Sequence, residues 1–130
     1  NVYGPGQICK GDMATVIGIF ELLYKKNKSL TVVRPGSQTR RFTHIDDTIK
    51  AVFFAWKKNK NRHYSISNKK SYSILQVAKF FTNNIKFLPK RSGERYASAL
   101  TDMNLSNKVY KIFGRKDLKS HINNFKNNIS

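Results

Sequence analysis

Apolar residues recur at intervals of three and four in several stretches of the chain, which is the spacing of one face of a helix. This spacing predicts helices over residues 14–25, 46–59 and 73–81, and an amphipathic helix in the tail segment 116–130, which could fray. A further short helix is predicted over 104–113, closed by Gly114. The aromatic residues at helical positions are expected to be buried: Phe20, Phe53, Trp56 and Phe81.

Short runs of branched and aromatic residues between these helices predict strands at 30–33, 41–45, 64–67 and 85–88. Pro35-Gly36 suits the centre of a type II turn, because Pro fixes φ and Gly accepts a positive φ. We therefore expect strand 41–45 to return antiparallel to strand 30–33, and Asp46 to N-cap the following helix.

Residues 1–11 have no apolar periodicity and are predicted to form a loop. Strands that alternate with helices indicate an α/β fold, or an α+β fold. A chain of 130 residues has the size of one domain, so residues 1–130 are interpreted as a single unit.

The formal charge of +18, from 25 Lys and Arg against 7 Asp and Glu, indicates an anionic partner. A nucleic acid, an anionic membrane and an anionic small molecule all fit that charge. No apolar run is long enough to span a bilayer, so a membrane partner is not expected. Cys9 is the single cysteine; it allows no internal disulfide and suits a reducing compartment such as the cytoplasm.

Four stretches, in the same order, resemble motifs of the NAD-dependent epimerase/dehydratase family. Gln38–Asp47 resembles Gln-x-Arg-Asp-Phe-x-x-Val-x-Asp, and Asn1–Gln7 resembles Asn-Val-Tyr-Gly-Pro. His63–Ser67 is similar to Tyr-Asn-Ile-Gly-x-Gly, and Pro89–Glu94 to Pro-x-Arg-x-Gly-Glu/Asp. The resemblance covers about residues 1–115. Family members of the UDP-glucose 4-epimerase type are extended short-chain dehydrogenases that act on nucleotide sugars.

The resemblance implies that this chain is the C-terminal, substrate-binding portion of such an enzyme, without the N-terminal Rossmann half. The glycine-rich fingerprint Gly-x-x-Gly-x-x-Gly is absent from the sequence. Tyr24 and Lys28 imitate the catalytic Tyr-x-x-x-Lys, but the family motif lies upstream of Asn-Val-Tyr-Gly-Pro and chance alone gives about one such match here. NAD would therefore be bound by a missing portion, no metal is implied, and this chain alone is expected to be inactive. A homodimer is conceivable for the intact enzyme.

By resemblance, Arg40 and Arg91 match the arginines that hold the substrate pyrophosphate, and planar guanidinium groups suit that chemistry. Arg41 departs from the family, which has Asp there. Four further residues are candidates for substrate contacts: Asn1 for the sugar or phosphate, Thr15 in the segment that closes over the nucleotide, Val33 against the base and Glu94 at a ribose hydroxyl. Each of the four has an ordinary structural alternative. Asn1 could form a turn and Thr15 could start a helix, while Val33 could occupy a core strand position and Glu94 could form an ion pair.

His44, with Asp46 and Asp47 close by, could suggest metal or general-base chemistry, but its spacing matches no metal motif. A strand histidine beside a helix cap is the favoured interpretation. His63 and His121 are isolated in the sequence, and Cys9 has no nearby partner.

Two alternatives stay open beside the nucleotide-sugar interpretation. The first is a basic nucleic-acid-binding module, supported by the charge and the interspersed Phe and Tyr. The second is an inactive fragment. The sequence leaves open which sugar and nucleotide are bound, and whether the intact enzyme is an epimerase, a dehydratase or a reductase.

Overall fold

The structure, a computed structural model, describes residues 1–58, 63–93 and 109–129. Four helices and eight strands are described within these ranges. In chain order the elements are β1 (Val2–Tyr3), α1 (Val16–Lys25), β2 (Leu30–Val33), β3 (Thr39–Arg40), β4 (Thr43–His44), α2 (Ile45–Lys58), β5 (His63–Asn68), β6 (Tyr72–Ser73), α3 (Ile74–Phe81), β7 (Ile85–Leu88), β8 (Val109–Gly114) and α4 (Leu118–Asn127). Within these ranges no helix has both the length and the apolar character needed to cross a bilayer.

The described strands form four two-stranded ladders. Three are parallel, β1 with β4, β2 with β7 and β5 with β8, and the fourth pairs β3 antiparallel to β6. Parallel pairing requires a long crossover between the partners, and here helices supply parts of those crossovers. The mixture of short strands and helices confirms the predicted α/β class.

The core lies between α1, α3, α4 and the β2–β7 ladder. Phe20, Val77 and Ile122 have no exposed surface and come from three different helices. The Phe20 and Phe81 rings meet edge to face with centroids 6.0 Å apart, and Phe125 joins them from α4. The predictions that Phe20 and Phe81 are buried and that the tail is an amphipathic helix are both confirmed.

The predicted hairpin is wrong. Strand β2 pairs with β7 over Leu30↔Ile85 to Val33↔Leu88, and the predicted strand 41–45 is replaced by the two-residue strands β3 and β4. Gly36 does have the positive φ expected of it, 81°. The chain still reverses direction there, but β7 offers β2 four consecutive partners, which β4 does not.

Helix α2 begins at Ile45, so Asp46 lies in its first turn and is not the N-cap. The Nδ1 atom of His44 accepts the Asp46 backbone N–H at 3.1 Å and fills that role. Asp46 forms an ion pair with Lys116 instead. The buried carboxylate of Asp47 accepts two backbone N–H groups, from Arg115 at 3.0 Å and Lys116 at 2.9 Å.

The second half of the predicted helix 104–113 is a strand. Residues 109–114 form β8, which pairs with all six residues of β5, while 104–108 lie outside the described residues. Branched and aromatic residues fit a strand as well as a short helix, and the non-local pairing decides. Gly114 ends this strand where an added Cβ would lie 3.0 Å from Oδ2 of Asp47, so its small size has a packing reason. The predicted loop 1–11 also contains a strand, β1, which pairs with β4.

The prediction that Phe53 and Trp56 are buried is wrong. Phe53 is 53% exposed and Trp56 is 72% exposed, although both lie on the apolar stripe that predicted helix α2. Helix α2 instead buries Asp47 and Ala51, and it packs on β1, β4, β5 and β8.

Candidate functional site

A cavity of about 590 Å³ opens beside the start of α1, the strand β2 and the segment that carries β3. Its volume falls within the range of pockets that bind small molecules. The apolar part of its wall is formed mainly by the following residues: Val2, Val16, Ile17, Ile19, Phe20, Phe42, Ile74 and Leu88.

Five of the six residues proposed from the sequence line this cavity. They are Asn1, Thr15, Val33, Arg40 and Arg91. The sixth, Glu94, lies outside the described residues.

The pairing of the strands explains how distant residues reach one place. The β2–β7 ladder sets Val33 beside Leu88, so the chain leaves β7 next to the cavity and carries Arg91 to its exposed rim. Arg40 is 51 positions away in the sequence and arrives on β3, which pairs with Tyr72 of β6. The Nη1 atom of Arg40 donates to its neighbour's carbonyl, Thr39 O, at 2.8 Å.

The cavity has a one-sided electrostatic character. Arg40 and Arg91 are the charged side chains among its described lining residues, and no carboxylate is among them. Two guanidinium groups beside an apolar wall suit a ligand that has both an anionic part and a flat apolar part.

Thr15 has a structural role as well as its place in the wall. Its hydroxyl N-caps α1 by accepting the Gly18 N–H at 3.0 Å, and it donates to Oε1 of Gln7 at 3.0 Å. Gln7 in turn donates to Glu21 at 2.9 Å. The segment before α1 is thereby tied to the helix by side chains, which fixes this part of the cavity wall.

Gln38 is the functional candidate that the sequence argument did not select. It is 2% exposed and lines the cavity, and its Nε2 donates to the carbonyl of Val33 at 3.1 Å. Its Oε1 is buried without a hydrogen-bond partner among the described residues. A buried acceptor without a partner is costly, which makes this oxygen an unsatisfied polar atom of a residue that lines the cavity. Its position in the Gln-x-Arg motif was the signal that could have identified it.

His44 and His121 lie away from this cavity. The rings of His44, His121 and Tyr3 contact each other, with centroids 5.0 to 5.7 Å apart, and His121 Nε2 lies 3.1 Å from Oε1 of Glu21. Burial lowers the pKa of His44 and raises that of Tyr3. His121 is therefore not isolated in the fold, whereas His44 is the strand histidine beside a helix cap that was favoured. No group of three metal-ligating side chains occurs in the part of the chain that the structure describes.

The family model named NAD dependent epimerase/dehydratase family matches residues 1–67, which is more than half of the 130 residues. The chain belongs to the NAD-dependent epimerase/dehydratase family. Its curated relatives include a candidate UDP-glucose 4-epimerase of Methanocaldococcus jannaschii, 34% identical over 115 residues, and a dTDP-L-rhamnose 4-epimerase of Burkholderia thailandensis, 35% identical over 52 residues. The first match covers 87% of this chain and 34% of the relative, and the second covers 40% of this chain and 14% of the relative.

Two solved family structures share the fold. The UDP-glucose 4-epimerase of Thermotoga maritima, solved with UDP-glucose, matches with a TM-score of 0.79 and 21% identity. The match covers 100% of this chain and 45% of the epimerase. A UDP-N-acetylglucosamine 4-epimerase of Methanobrevibacter ruminantium, solved with UDP-N-acetylmuramic acid, matches with a TM-score of 0.76 and 22% identity, over 99% of this chain and 42% of that one. This epimerase/dehydratase chain thus spans less than half the length of the structures that it overlays.

The four described helices of this family member have no open N-terminus of the kind that holds a dinucleotide pyrophosphate. A dinucleotide pyrophosphate is held at an open helix N-terminus after a glycine-rich turn. In each of the four described helices, a side chain at the N-terminus already accepts a backbone N–H of the first turn. These side chains belong to Thr15 for α1, His44 for α2, Ser73 for α3 and Asp117 for α4.

Proposed function

We propose that this chain is the substrate-binding portion of an NAD-dependent nucleotide-sugar epimerase or dehydratase, and that its 590 Å³ cavity holds the nucleotide diphosphate. The observation that supports this most is that Arg40 and Arg91 line the same cavity although they are distant in the sequence. The names of relatives add support, since several act on or were solved with UDP- or dTDP-linked sugars.

In this proposal the two guanidinium groups bind the pyrophosphate oxygens, and the apolar wall with Val33 receives the base. Asn1 contacts the sugar or phosphate with an amide that can donate and accept at once. Orientation of this kind is a large catalytic contribution, because it presents the reacting group in a productive geometry. NAD supplies the hydride chemistry in this family and would be bound outside these 130 residues; no step through it involves the described side chains.

Nucleotide binding by the purified chain tests the proposal. Isothermal titration with UDP and dTDP should give saturable binding, whereas uridine, which has the base without the phosphates, should bind much more weakly. Arg40→Gln and Arg91→Gln should each weaken UDP binding by roughly 10- to 150-fold, the equivalent of a lost charge-assisted hydrogen bond of about 1.5–3 kcal/mol.

Arg115→Gln is the matched control, because it removes one positive charge far from the cavity lining. If Arg115→Gln weakened UDP binding as much as Arg91→Gln did, the effect would be general electrostatics and the pyrophosphate assignment would be wrong.

We also propose that the chain alone performs no oxidoreductase chemistry. It has neither the glycine-rich fingerprint nor the catalytic tyrosine in its family position. Purified chain supplied with NAD and a UDP- or dTDP-sugar should show no turnover. Measurable conversion above the rate of a heat-denatured control would contradict it.

A further inference from the structure

Helix α2 carries an apolar face that nothing in the described structure covers. This outer face consists of Ile49, Val52, Phe53 and Trp56, which are 59%, 65%, 53% and 72% exposed. The four residues lie at spacings of three and four, so they form one continuous stripe, and Thr48 extends the shallow hollow between them. Exposed apolar patches of this kind on a highly charged protein mark interaction sites.

The outer face lies opposite the face by which α2 packs on the protein. At about 100° per residue, Asp47 and Ala51 point roughly half a turn away from Ile49 and Trp56, and these inner residues are buried. Helix α2 is thus packed on one side and apolar on the other. A helix with this distribution belongs between two layers of a fold rather than on its surface.

The strands beneath α2 are also incomplete as a sheet. Helix α2 contacts β1, β4, β5 and β8, which occur in the described structure as two separate parallel pairs. Parallel sheets are found with both faces covered, and a two-stranded ladder is only marginally stable by itself. The helix and the strands therefore lack covering structure in the same region.

The comparisons indicate what covers it. The chain overlays the T. maritima epimerase over its whole length, yet it accounts for 45% of that protein, and it accounts for 34% of the M. jannaschii relative. More than half of the family fold is therefore polypeptide that these 130 residues do not supply.

We propose that the outer face of α2 is the docking surface for the remaining polypeptide of the epimerase/dehydratase fold, whether that polypeptide is continuous with this chain or separate from it. The proposal rests on family membership and on the exposed face, and it does not depend on the nucleotide cavity. An aliphatic and aromatic stripe fits a protein layer better than it fits a nucleic acid, because Ile49 and Val52 offer no ring on which a base could stack.

Trp56 gives a direct measurement, because it is the single tryptophan of the chain. We would build a chimera in which this chain replaces the matching 115 residues of the M. jannaschii relative, with the tryptophans of the remainder changed to phenylalanine. Acrylamide quenching and the emission maximum of Trp56 would be compared between the chimera and the isolated chain. We expect quenching to fall several-fold in the chimera and the emission to shift to shorter wavelength.

Two variants on the same helix provide the matched comparison. Val52→Gln places an amide in the outer face, while Lys50→Gln changes an exposed residue on another side of α2. Val52→Gln should lower the melting temperature of the chimera and leave that of the isolated chain unchanged. Lys50→Gln should change neither.

Trp56 that stays as accessible in a folded chimera as in the isolated chain would overturn the proposal. Protection of Trp56 from quenching in the isolated chain would also overturn the proposal. Protection that increases with protein concentration would show that a second copy covers the face. Protection by anionic vesicles would identify a membrane surface, and protection by single-stranded DNA would identify a nucleic acid. If the chimera does not fold, the proposal would be tested in the full-length relative, with a cysteine placed at the position that corresponds to Trp56. Resistance of its native-state thiol to modification supports the proposal, and rapid modification overturns it.

Discussion

Asp47→Ala is the substitution for which the structure gives the most definite expectation. The carboxylate of Asp47 is almost completely buried, and its Oδ2 accepts backbone N–H groups from Arg115 and Lys116 at 3.0 and 2.9 Å. These bonds join the start of α2 to the segment between β8 and α4, 68 and 69 positions along the chain.

The loss of unfolding free energy in Asp47→Ala follows from the number and kind of hydrogen bonds that are removed. A hydrogen bond to a charged group contributes about 1.5–3 kcal/mol, and removing the acceptor leaves both N–H groups without it. Because Arg115 and Lys116 are themselves exposed, water can compensate part of the loss, and we expect Asp47→Ala to cost about 3 kcal/mol of unfolding free energy. Asp47→Asn should cost about half as much, since its amide oxygen keeps the geometry without the charge.

Asp46→Ala is the matched control, because Asp46 is the neighbouring carboxylate in the same helical turn and pairs with Lys116 at the surface. Exposed ion pairs contribute little, since water screens them. Urea unfolding should be followed by far-ultraviolet circular dichroism, because Trp56 is already exposed and its emission would report the transition poorly. If Asp47→Ala cost no more than Asp46→Ala, the buried carboxylate would not be holding these segments together.

Three further predictions concern acid stability, helix capping and charge. Burial and the nearby Lys116 lower the pKa of His44 below its ordinary value of 6.5, so the stability that this neutral side chain contributes should be complete above about pH 6.5 and be lost as the pH falls towards the lowered value. His44→Asn, which does not titrate, should reduce that loss in thermal unfolding measured between pH 7 and 5; an unchanged pH profile would exclude His44 as its cause. Ser73→Ala removes the capping box of α3 and should cost about 1 kcal/mol by urea unfolding, whereas Ser92→Ala in an exposed turn should cost almost nothing, and equal effects would count against the cap. If the charge of +18 is only a dispersed surface property, binding to a labelled single strand should fall by on the order of 10³-fold or more between 50 and 200 mM salt for six or more phosphate contacts. Sub-micromolar binding that persists at 200 mM and is lost in Phe53→Ala would favour the nucleic-acid-binding alternative, because the exposed Phe53 ring lies beneath Lys57.

Local signals in the sequence predicted the four described helices, although the helix predicted over 104–113 is a strand from residue 109. The apolar spacing over 73–81 and that of Leu118 and Ile122 in the tail each depend on residues within one or two turns, and the structure confirms both helices. The partners of the strands are a different matter. Strand β2 was recognised from its own residues, but its choice of β7 over the nearer 41–45 segment depends on a pairing 55 positions away, which local patterns do not encode.

The candidate site shows the same division. The motifs selected Arg40 and Arg91, and the β3–β6 and β2–β7 pairings bring the two residues to one cavity. Gln38 was passed over although it lies in the Gln-x-Arg motif, because its burial and its unpartnered oxygen are seen only in the fold. For α2, periodicity identified the apolar stripe correctly but could not show which polypeptide covers it.

The proposed nucleotide cavity and the outer face of α2 are lined by different residues, although β1 belongs to both regions, because Val2 lines the cavity and β1 contacts α2. The cavity wall shares Ile17, Phe20 and Ile74 with the core formed by α1, α3, α4 and the β2–β7 ladder, and that core is closed among the described residues. Helix α2 packs instead on β1, β4, β5 and β8, whose strand pairing among the described residues is limited to the parallel ladders β1–β4 and β5–β8. Because the core beside the cavity is already packed among the described residues, we expect nucleotide binding not to require a covered outer face. The two proposals can therefore fail separately: a chain that binds UDP through Arg40 and Arg91 while Trp56 stays accessible in the chimera would support the first and overturn the second.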